Sequence, residues 1–191
     1  MKDSQHSTSH LKVNSATSRR LSDKLSQNED IIEMILEDHK PLKQLIKIMK
    51  NTDKDLSDRE DAFAEFAPLL ICHAKPEEET LYTFMKSVEN TRSDGFEGDV
   101  EHGLADQMVE EIMRTDDEDL WSARVKVLAE LVEHHIEEEE NSLLPDFKKN
   151  SNPQDRQILA NKFLKLKTHF LQLGGEETPH EANLKKSDLH H

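Results

Sequence analysis

Apolar residues recur every three or four positions through the middle of the chain, which is the period of an amphipathic α-helix. The pattern predicts helices over residues 29–50, 58–89, 97–114, 117–149 and 153–172. The stretch TRSDGFEG, residues 91–98, is expected to form a loop between the second and third helices. Short connections between the first four helices predict an all-α fold, an antiparallel four-helix up-down bundle with an additional C-terminal helix.

Both ends of the chain differ from this pattern. Residues 1–27 are rich in serine and threonine and poor in apolar side chains, so they are predicted to be a disordered N-terminal tail. Residues 174–191 are predicted to be a disordered C-terminal tail for the same reason. The bundle domain is expected over 28–150 and the additional helix over 151–173, within a chain of 191 residues.

Composition and charge narrow the function classes. A formal net charge of −15 repels phosphate backbones, so nucleic acid is not an expected partner. Cys72 is the single cysteine, which excludes a disulfide within the chain and argues against a thiolate zinc site. No apolar run approaches the length of a membrane span, and no secretory signal is visible. We therefore expect a cytoplasmic protein without membrane contact, and the sequence does not fix its oligomeric state.

Three prolines fall inside predicted helices. Pro41, Pro68 and Pro76 each remove a backbone hydrogen bond, so each is expected to kink or bulge its helix. Pro76 matters most, because it lies between His73 and Glu77 and affects how the glutamate is aimed.

Four histidines recur at nearly repeated spacings within the apolar stripes. His39 and His73 are 34 residues apart, and His102 and His135 are 33 apart. Three of the four carry an acidic residue four positions later, which places both side chains on one helix face. The pattern predicts that nitrogen and oxygen donors converge inside the bundle.

An internal match fixes the register of this pattern. Residues 73–82 and 135–144 both begin H-x-x-x-E-E-x-x-L. The alignment favours His135 over the adjacent His134, and Glu139 over Glu138, as the inward-facing residues.

This donor set suggests a metal site. The candidate ligands are His39, His73, Glu77, His102, Asp106, His135 and Glu139. Imidazoles and carboxylates without a thiolate suit iron, manganese or zinc. Seven side chains are too many for one tetrahedral zinc and suit two six-coordinate ions bridged by carboxylates. Buried acids also need a partner, which a pair of dications would supply.

Taken singly, these residues have ordinary explanations. A lone histidine on an apolar face is usually a core residue, and glutamate runs are usually solvated helix faces. Tyr82 is expected to pack with its hydroxyl toward solvent, the alternative being that it tunes a redox centre. Cys72 is expected to be an inert buried thiol, and His169 a structural residue. The repeated spacing favours the metal site over coincidence.

The motifs resemble the hemerythrin-like family of HHE cation-binding domains over residues 29–150. They are Glu-Asp-His39, His73-x-x-x-Glu77-Glu78-x-x-Leu-Tyr, Glu101-His102 and His135-x-x-x-Glu139-Glu140. The resemblance implies a non-haem di-iron centre in an antiparallel four-helix bundle. It implies as ligands His39, His73, Glu77, His102, His135 and Glu139.

Two departures from oxygen-carrying hemerythrins bear on function. Asp106 stands where those proteins have a second histidine, and the last carboxylate, Glu139, lies one residue closer to its histidine. An anionic ligand should stabilise the higher oxidation state of iron. The resemblance thus implies a di-iron protein that binds or senses O₂, NO or peroxide or buffers iron, with a role in oxidative-stress response. Any catalysis would be weak reduction of peroxide or O₂.

Two other classes remain open. The chain could be a helical interaction or regulatory module with a structural metal site, which should be coordinatively closed. A ferritin-like carboxylate bundle would place glutamate three residues before histidine on two helices. Here the acid follows the histidine by four residues, as in His73 and Glu77, which argues against that class.

Overall fold

The computed structural model describes residues 30–172. Within this range the chain is helical and contains no strand, so the predicted all-α class is confirmed there. The predicted tails, 1–27 and 174–191, lie outside the described residues, and the domain boundaries stay predictions.

Seven α-helices follow one another in the described part of the chain. They are α1 (Ile31–Met49), α2 (Leu56–Glu77), α3 (Thr83–Ser87), α4 (Arg92–Met113), α5 (Glu118–Glu138), α6 (Leu144–Asn150) and α7 (Pro153–Gln172). A π-helical segment, Glu78–Tyr82, joins α2 to α3, and a second, Glu139–Leu143, joins α5 to α6. The predicted second and fourth helices are thus long helices, each interrupted by one wide turn.

The two π-helical segments occupy matching places in the internal repeat. The first begins two residues after Pro76, where a bulge was expected. The second begins at Glu139 and follows α5, which contains no proline, so proline alone does not account for these turns. Pro41 and Pro68 lie within uninterrupted α-helices. π-Turns often mark functional sites, because they rotate the side chains that follow them.

The prediction of a loop over residues 91–98 is wrong. After a short 3₁₀ turn, Glu89–Thr91, α4 begins at Arg92 and includes both glycines of that stretch. These glycines are points of close helix contact. A Cβ atom on Gly98 would lie 2.5 Å from Cζ of Tyr82, and one on Gly95 would lie 3.1 Å from Cβ of Met85. Their small size allows α4 to approach the π-helical segment and α3.

Packing leaves a polar layer between two apolar clusters. Helix α1 contacts α2, α5 and α7, while α4 contacts α3 and α5. One apolar cluster includes Leu42 and Leu70, and the other includes Ile35 and Leu81. His39 lies between Ile35 and Leu42 in the sequence of α1, and His73 follows Leu70 on α2. The helices thus hold both histidines at the junction of the clusters.

Helix α7 packs on α1 and α2. Nε of Arg156 donates to Oδ2 of Asp30 at 2.7 Å, and Asp30 in turn caps the start of α1. Lys167 forms an ion pair with Asp38. None of the helices in residues 30–172 combines the length and apolar composition that a membrane span requires.

Candidate metal centre

Four buried side chains from three different parts of the fold form the first half of the site. They are His39, His73, Glu77 and Glu139, whose donor atoms all lie within 4.8 Å of one another. Nε2 of His39 is 3.1 Å from Oε2 of Glu139, and Nε2 of His73 is 3.2 Å from Oε2 of Glu77. Two nitrogens and two carboxylates therefore face a common centre.

His102 of α4 and His135 of α5 form the second half. Their Nε2 atoms are 3.0 Å apart. Nε2 of His102 is 3.7 Å from Oε2 of Glu77, and Nε2 of His135 is 3.8 Å from Oε1 of Glu139. Glu77 and Glu139 thus lie between the two histidine pairs, which is the placement that bridging carboxylates require.

All four imidazoles direct Nε2 toward this cluster and Nδ1 toward an outer carboxylate. The Nδ1 distances are 3.0 Å from His39 to Glu140, 2.5 Å from His135 to Glu101, 3.5 Å from His102 to Glu78 and 4.0 Å from His73 to Asp38. An outer carboxylate favours the tautomer that carries its proton on Nδ1, which leaves the Nε2 lone pair for a cation. The same arrangement orients histidine ligands in metalloproteins.

Several polar atoms in the cluster are buried without a hydrogen-bond partner. They include both nitrogens of His73 and both carboxylate oxygens of Glu77. The two side chains approach each other, but their atoms are not aligned for a hydrogen bond. A buried ionised carboxylate without compensation costs several kcal/mol or protonates. A cation among these atoms would satisfy them, so the residues present fit a metal.

The pKa directions describe the same electrostatic conflict. Burial, together with the nearby Glu139 carboxylate, raises the pKa of Glu77 well above its usual value. Burial acts on Glu139 in the same sense, but the imidazoles of His135 and His39 outweigh it and lower its pKa. Burial also lowers the pKa of His73 well below its usual value. Without a cation, the cluster therefore disfavours two ionised glutamates together.

Tyr82 does not direct its hydroxyl toward solvent, and that expectation is wrong. The side chain is completely buried. Its hydroxyl donates to Oε1 of Glu139 at 2.8 Å and lies 3.2 Å from Nε2 of His102 and 3.1 Å from Nε2 of His135. Burial and the nearby carboxylates, Glu139 first, raise the pKa of Tyr82 well above its usual value. The close approach of Gly98 makes room for the ring.

Asp106 lies beside the cluster and contacts a lysine. Its Oδ2 accepts from Nζ of Lys75 at 2.6 Å, and the same ammonium donates to Glu78 at 2.8 Å. Burial raises the pKa of Asp106, although Lys75 opposes that change. Asp106 is not among the four side chains of the first half of the site, and its assignment as a ligand stays a prediction.

The adjacent residues His134 and His135 differ in burial, as the internal match predicted. His135 is buried, whereas the side chain of His134 is 72 % exposed. Cys72 is a buried free cysteine, and burial raises the pKa of its thiol to about 11, which agrees with an inert thiol. His169 is exposed on α7.

The outer carboxylates were missed by the sequence reasoning. Glu78, Glu101 and Glu140 were named only as parts of motifs, and the glutamate runs that contain Glu78 and Glu140 were interpreted as solvated faces. One signal could have identified them: each follows a candidate ligand glutamate or precedes a candidate histidine by one residue.

An acidic cleft of about 230 Å³ borders the second half of the site. Its acidic lining residues are Asp94, Glu97, Glu101, Glu138, Glu139 and Asp146. His135 and Gly98 also contribute to its wall. The cleft is large enough for small molecules, and its charge favours cations over anions.

A family model, the hemerythrin HHE cation binding domain, matches residues 30–147. The chain belongs to this family. Comparison with curated proteins and with solved structures finds no match. The resemblance stated from the motifs is thereby confirmed, and a hemerythrin domain binds metal cations. The match includes all four histidines of the cluster and ends before α7, so the contacts of Arg156 and Lys167 come from outside the matched range.

Proposed function

We propose that this hemerythrin-domain protein is a non-haem di-iron protein that binds or senses O₂, NO or peroxide, or buffers iron. One observation carries the proposal: four Nε2 atoms and two carboxylates converge in a buried cluster that leaves His73 and Glu77 without hydrogen-bond partners. Nitrogen and oxygen donors without sulfur suit iron, with manganese or zinc as less favoured ions.

The donor arrangement supports a division of the residues between two ions. His39 and His73 would hold one ion, and His102 and His135 the other. Glu77 and Glu139 lie between the pairs and would be shared by both ions. Asp106 is also proposed as a ligand, and this role requires that the metal replace Lys75 as the partner of its carboxylate.

A pair of iron ions would supply reversible one-electron redox chemistry and sites for small ligands. The protein's own residues orient and shield that chemistry. Glu101 and Glu140 fix the imidazole rings of His135 and His39 through Nδ1. The cleft beside His135 offers O₂, NO or peroxide a path to the second half of the site. Any catalysis would be weak reduction of peroxide or O₂.

The wider setting of the site is also part of the proposal. We infer that the helices bearing the ligands form an antiparallel four-helix bundle, since α1 contacts α2 and α5, and α4 contacts α5. A cytoplasmic location is proposed as well. The net charge of −15 argues against nucleic acid as a partner.

The alternative, a helical regulatory module with a structural metal, is favoured by the depth of the first half of the site. His39 and Glu77 are both 0 % exposed, as expected for a closed site. The bordering cleft favours the reactive account, because a reactive site keeps an open position.

Spectroscopy of the iron-loaded protein separates the two accounts. Iron(II) is added without oxygen, and the visible spectrum is followed on addition of O₂, NO, peroxide or azide. A spectral change with at least one of these ligands supports the proposed function. Spectral silence toward all of them, with a large loss of thermal stability on chelation, would support the structural metal instead.

A further inference from the structure

The phenol oxygen of Tyr82 occupies a position among ligand atoms. It lies within 3.2 Å of three of them: Oε1 of Glu139 and the Nε2 atoms of His102 and His135. The two nitrogens are themselves 3.0 Å apart. Atoms bound to one ion at about 2.1 Å are typically about 3 Å from their neighbours, so this spacing matches that of adjacent ligands.

The protonation state that the outer carboxylates favour leaves lone pairs available at this centre. The phenol has one hydrogen, which is donated to Glu139. Glu101 and Glu78 face the Nδ1 atoms of His135 and His102, which favours protons there and leaves lone pairs on both Nε2 atoms. In that state the phenol oxygen and the two Nε2 atoms present lone pairs within 3.2 Å of one another, an arrangement that a cation stabilises.

The backbone holds Tyr82 in this place by two independent features. Tyr82 ends the π-helical segment Glu78–Tyr82, whose wide turn rotates it relative to the ligands of α2. On the facing helix, Gly98 leaves the space that the ring fills, since an added Cβ would lie 2.5 Å from Cζ of Tyr82. Gly103, on the same helix, has no atom within 4 Å of an added Cβ.

We propose that Tyr82 is itself a metal ligand, bound through its phenolate oxygen to the ion held by His102 and His135. The inference rests on the proposed di-iron function. On metal binding, the phenol proton leaves to solvent and the oxygen–iron bond takes its place. Tyr82 then supplies the oxygen donor that the sequence pattern assigned to Asp106, whose carboxylate contacts Lys75. A phenolate donor favours iron(III), as any anionic ligand does.

Resonance Raman spectroscopy of the iron-loaded full-length protein, oxidised with O₂, tests this assignment directly. A phenolate bound to iron(III) gives a visible charge-transfer band whose excitation enhances tyrosine ring modes. Tyr82 is the single tyrosine in the chain, so the modes need no further assignment. The wild-type protein is expected to show them, and Tyr82→Phe is expected to lose both band and modes while it keeps the ring and the bound iron.

A glycine pair provides the matched control. Gly98→Ala is expected to displace the ring and to lose most of the charge-transfer band although Tyr82 is present. Gly103→Ala is expected to retain it. Wild-type protein that binds iron without phenolate modes overturns the role of Tyr82 and leaves the di-iron proposal standing. Wild-type protein that binds no iron overturns both.

Discussion

Nε2 of His39 lies 3.1 Å from Oε2 of Glu139, although 100 positions separate the two residues in the chain. His39 belongs to the first helix and Glu139 to the π-helical segment after α5. The contact therefore joins the two halves of the internal repeat. On the opposite side of the His39 ring, Nδ1 lies 3.0 Å from Glu140. One π-turn thus supplies both a proposed ligand and the carboxylate that orients a ligand.

Two adjacent histidines allow a matched test of the proposed ligands. His135→Ala is expected to lower the bound iron by about half or more, because it removes one of the two histidines of the second ion. His134→Ala should leave the iron content unchanged, since that side chain is mostly exposed. Iron analysis of both purified variants checks this. Equal iron loss in the two variants would remove His135 from the site.

Glu77 is expected to stabilise the metal-bound protein and destabilise the metal-free protein. Burial and Glu139 raise the pKa of Glu77, so its ionised form is unfavourable without a cation. Glu77→Gln should therefore raise the unfolding free energy of the metal-free protein at pH 8 by on the order of 1 kcal/mol, and lower its metal content. Thermal unfolding after chelation measures the first effect, and iron analysis the second. A metal-free variant less stable than wild type would contradict this.

The pH dependence of stability gives an independent test of the effect of Glu77. A carboxyl whose pKa is raised by folding contributes stability below its unfolded pKa of about 4.3, and loses that contribution as pH rises through the folded pKa. His73, whose pKa is lowered by folding, acts oppositely: its contribution is present above about 6.5 and is lost as pH falls. Both proteins carry His73, so its contribution cancels in the comparison. The unfolding free energy of wild type minus that of Glu77→Gln should therefore decrease as pH rises. A difference independent of pH from 4 to 9 would exclude the shift of Glu77.

Asp106 is expected to act through Lys75. Because its carboxylate accepts from Nζ of Lys75 at 2.6 Å, Asp106→Asn should retain the iron content of wild type and lower the unfolding free energy by about 1–3 kcal/mol. The double variant Lys75→Met, Asp106→Asn should lower the unfolding free energy by less than the sum of the two single variants, since both remove the same ion pair. Loss of iron from Asp106→Asn with unchanged stability would instead make Asp106 a ligand.

The convergence of the histidines could be predicted from sequence, and the surroundings of the site could not. Helical periodicity places His39 and His73 on buried faces, and the internal match selects His135 over His134. Those arguments use one helix at a time, so they cannot show which carboxylate meets which Nδ1. Glu140 belongs to a run of four glutamates that looks like a solvated face.

The position of Tyr82 shows a second limit. A hydrophobic period of 3.6 residues does not predict the π-turn, which rotates the ring inward. Glycines in TRSDGFEG also suggested a loop, because glycine usually interrupts helices. In the fold, Gly98 lies inside α4, where its missing side chain accommodates the tyrosine. Burial of Tyr82 therefore depends on a helix–helix contact that a single segment does not encode.

The link between α7 and the family domain can be tested through Arg156. This buried guanidinium donates to Asp30 at 2.7 Å and to the carbonyl of Ser151 at 3.0 Å. Arg156→Ala should lower the unfolding free energy by about 2 kcal/mol. That loss corresponds to a decrease in melting temperature of about 4–8 °C for a chain of this size. The exposed residue Lys165 on the same helix provides the control, and Lys165→Ala should melt within about 1 °C of wild type. Equal melting temperatures for all three proteins would show that α7 does not stabilise the domain through Arg156.

The count of iron ions bound per chain tests the central claim most directly. Metal-free protein is titrated with iron(II) without oxygen, and bound iron is measured after removal of the excess. Two groups of imidazoles joined by Glu77 and Glu139 predict saturation at about two ions per chain. Saturation at one ion or fewer would contradict a di-iron centre in this cluster.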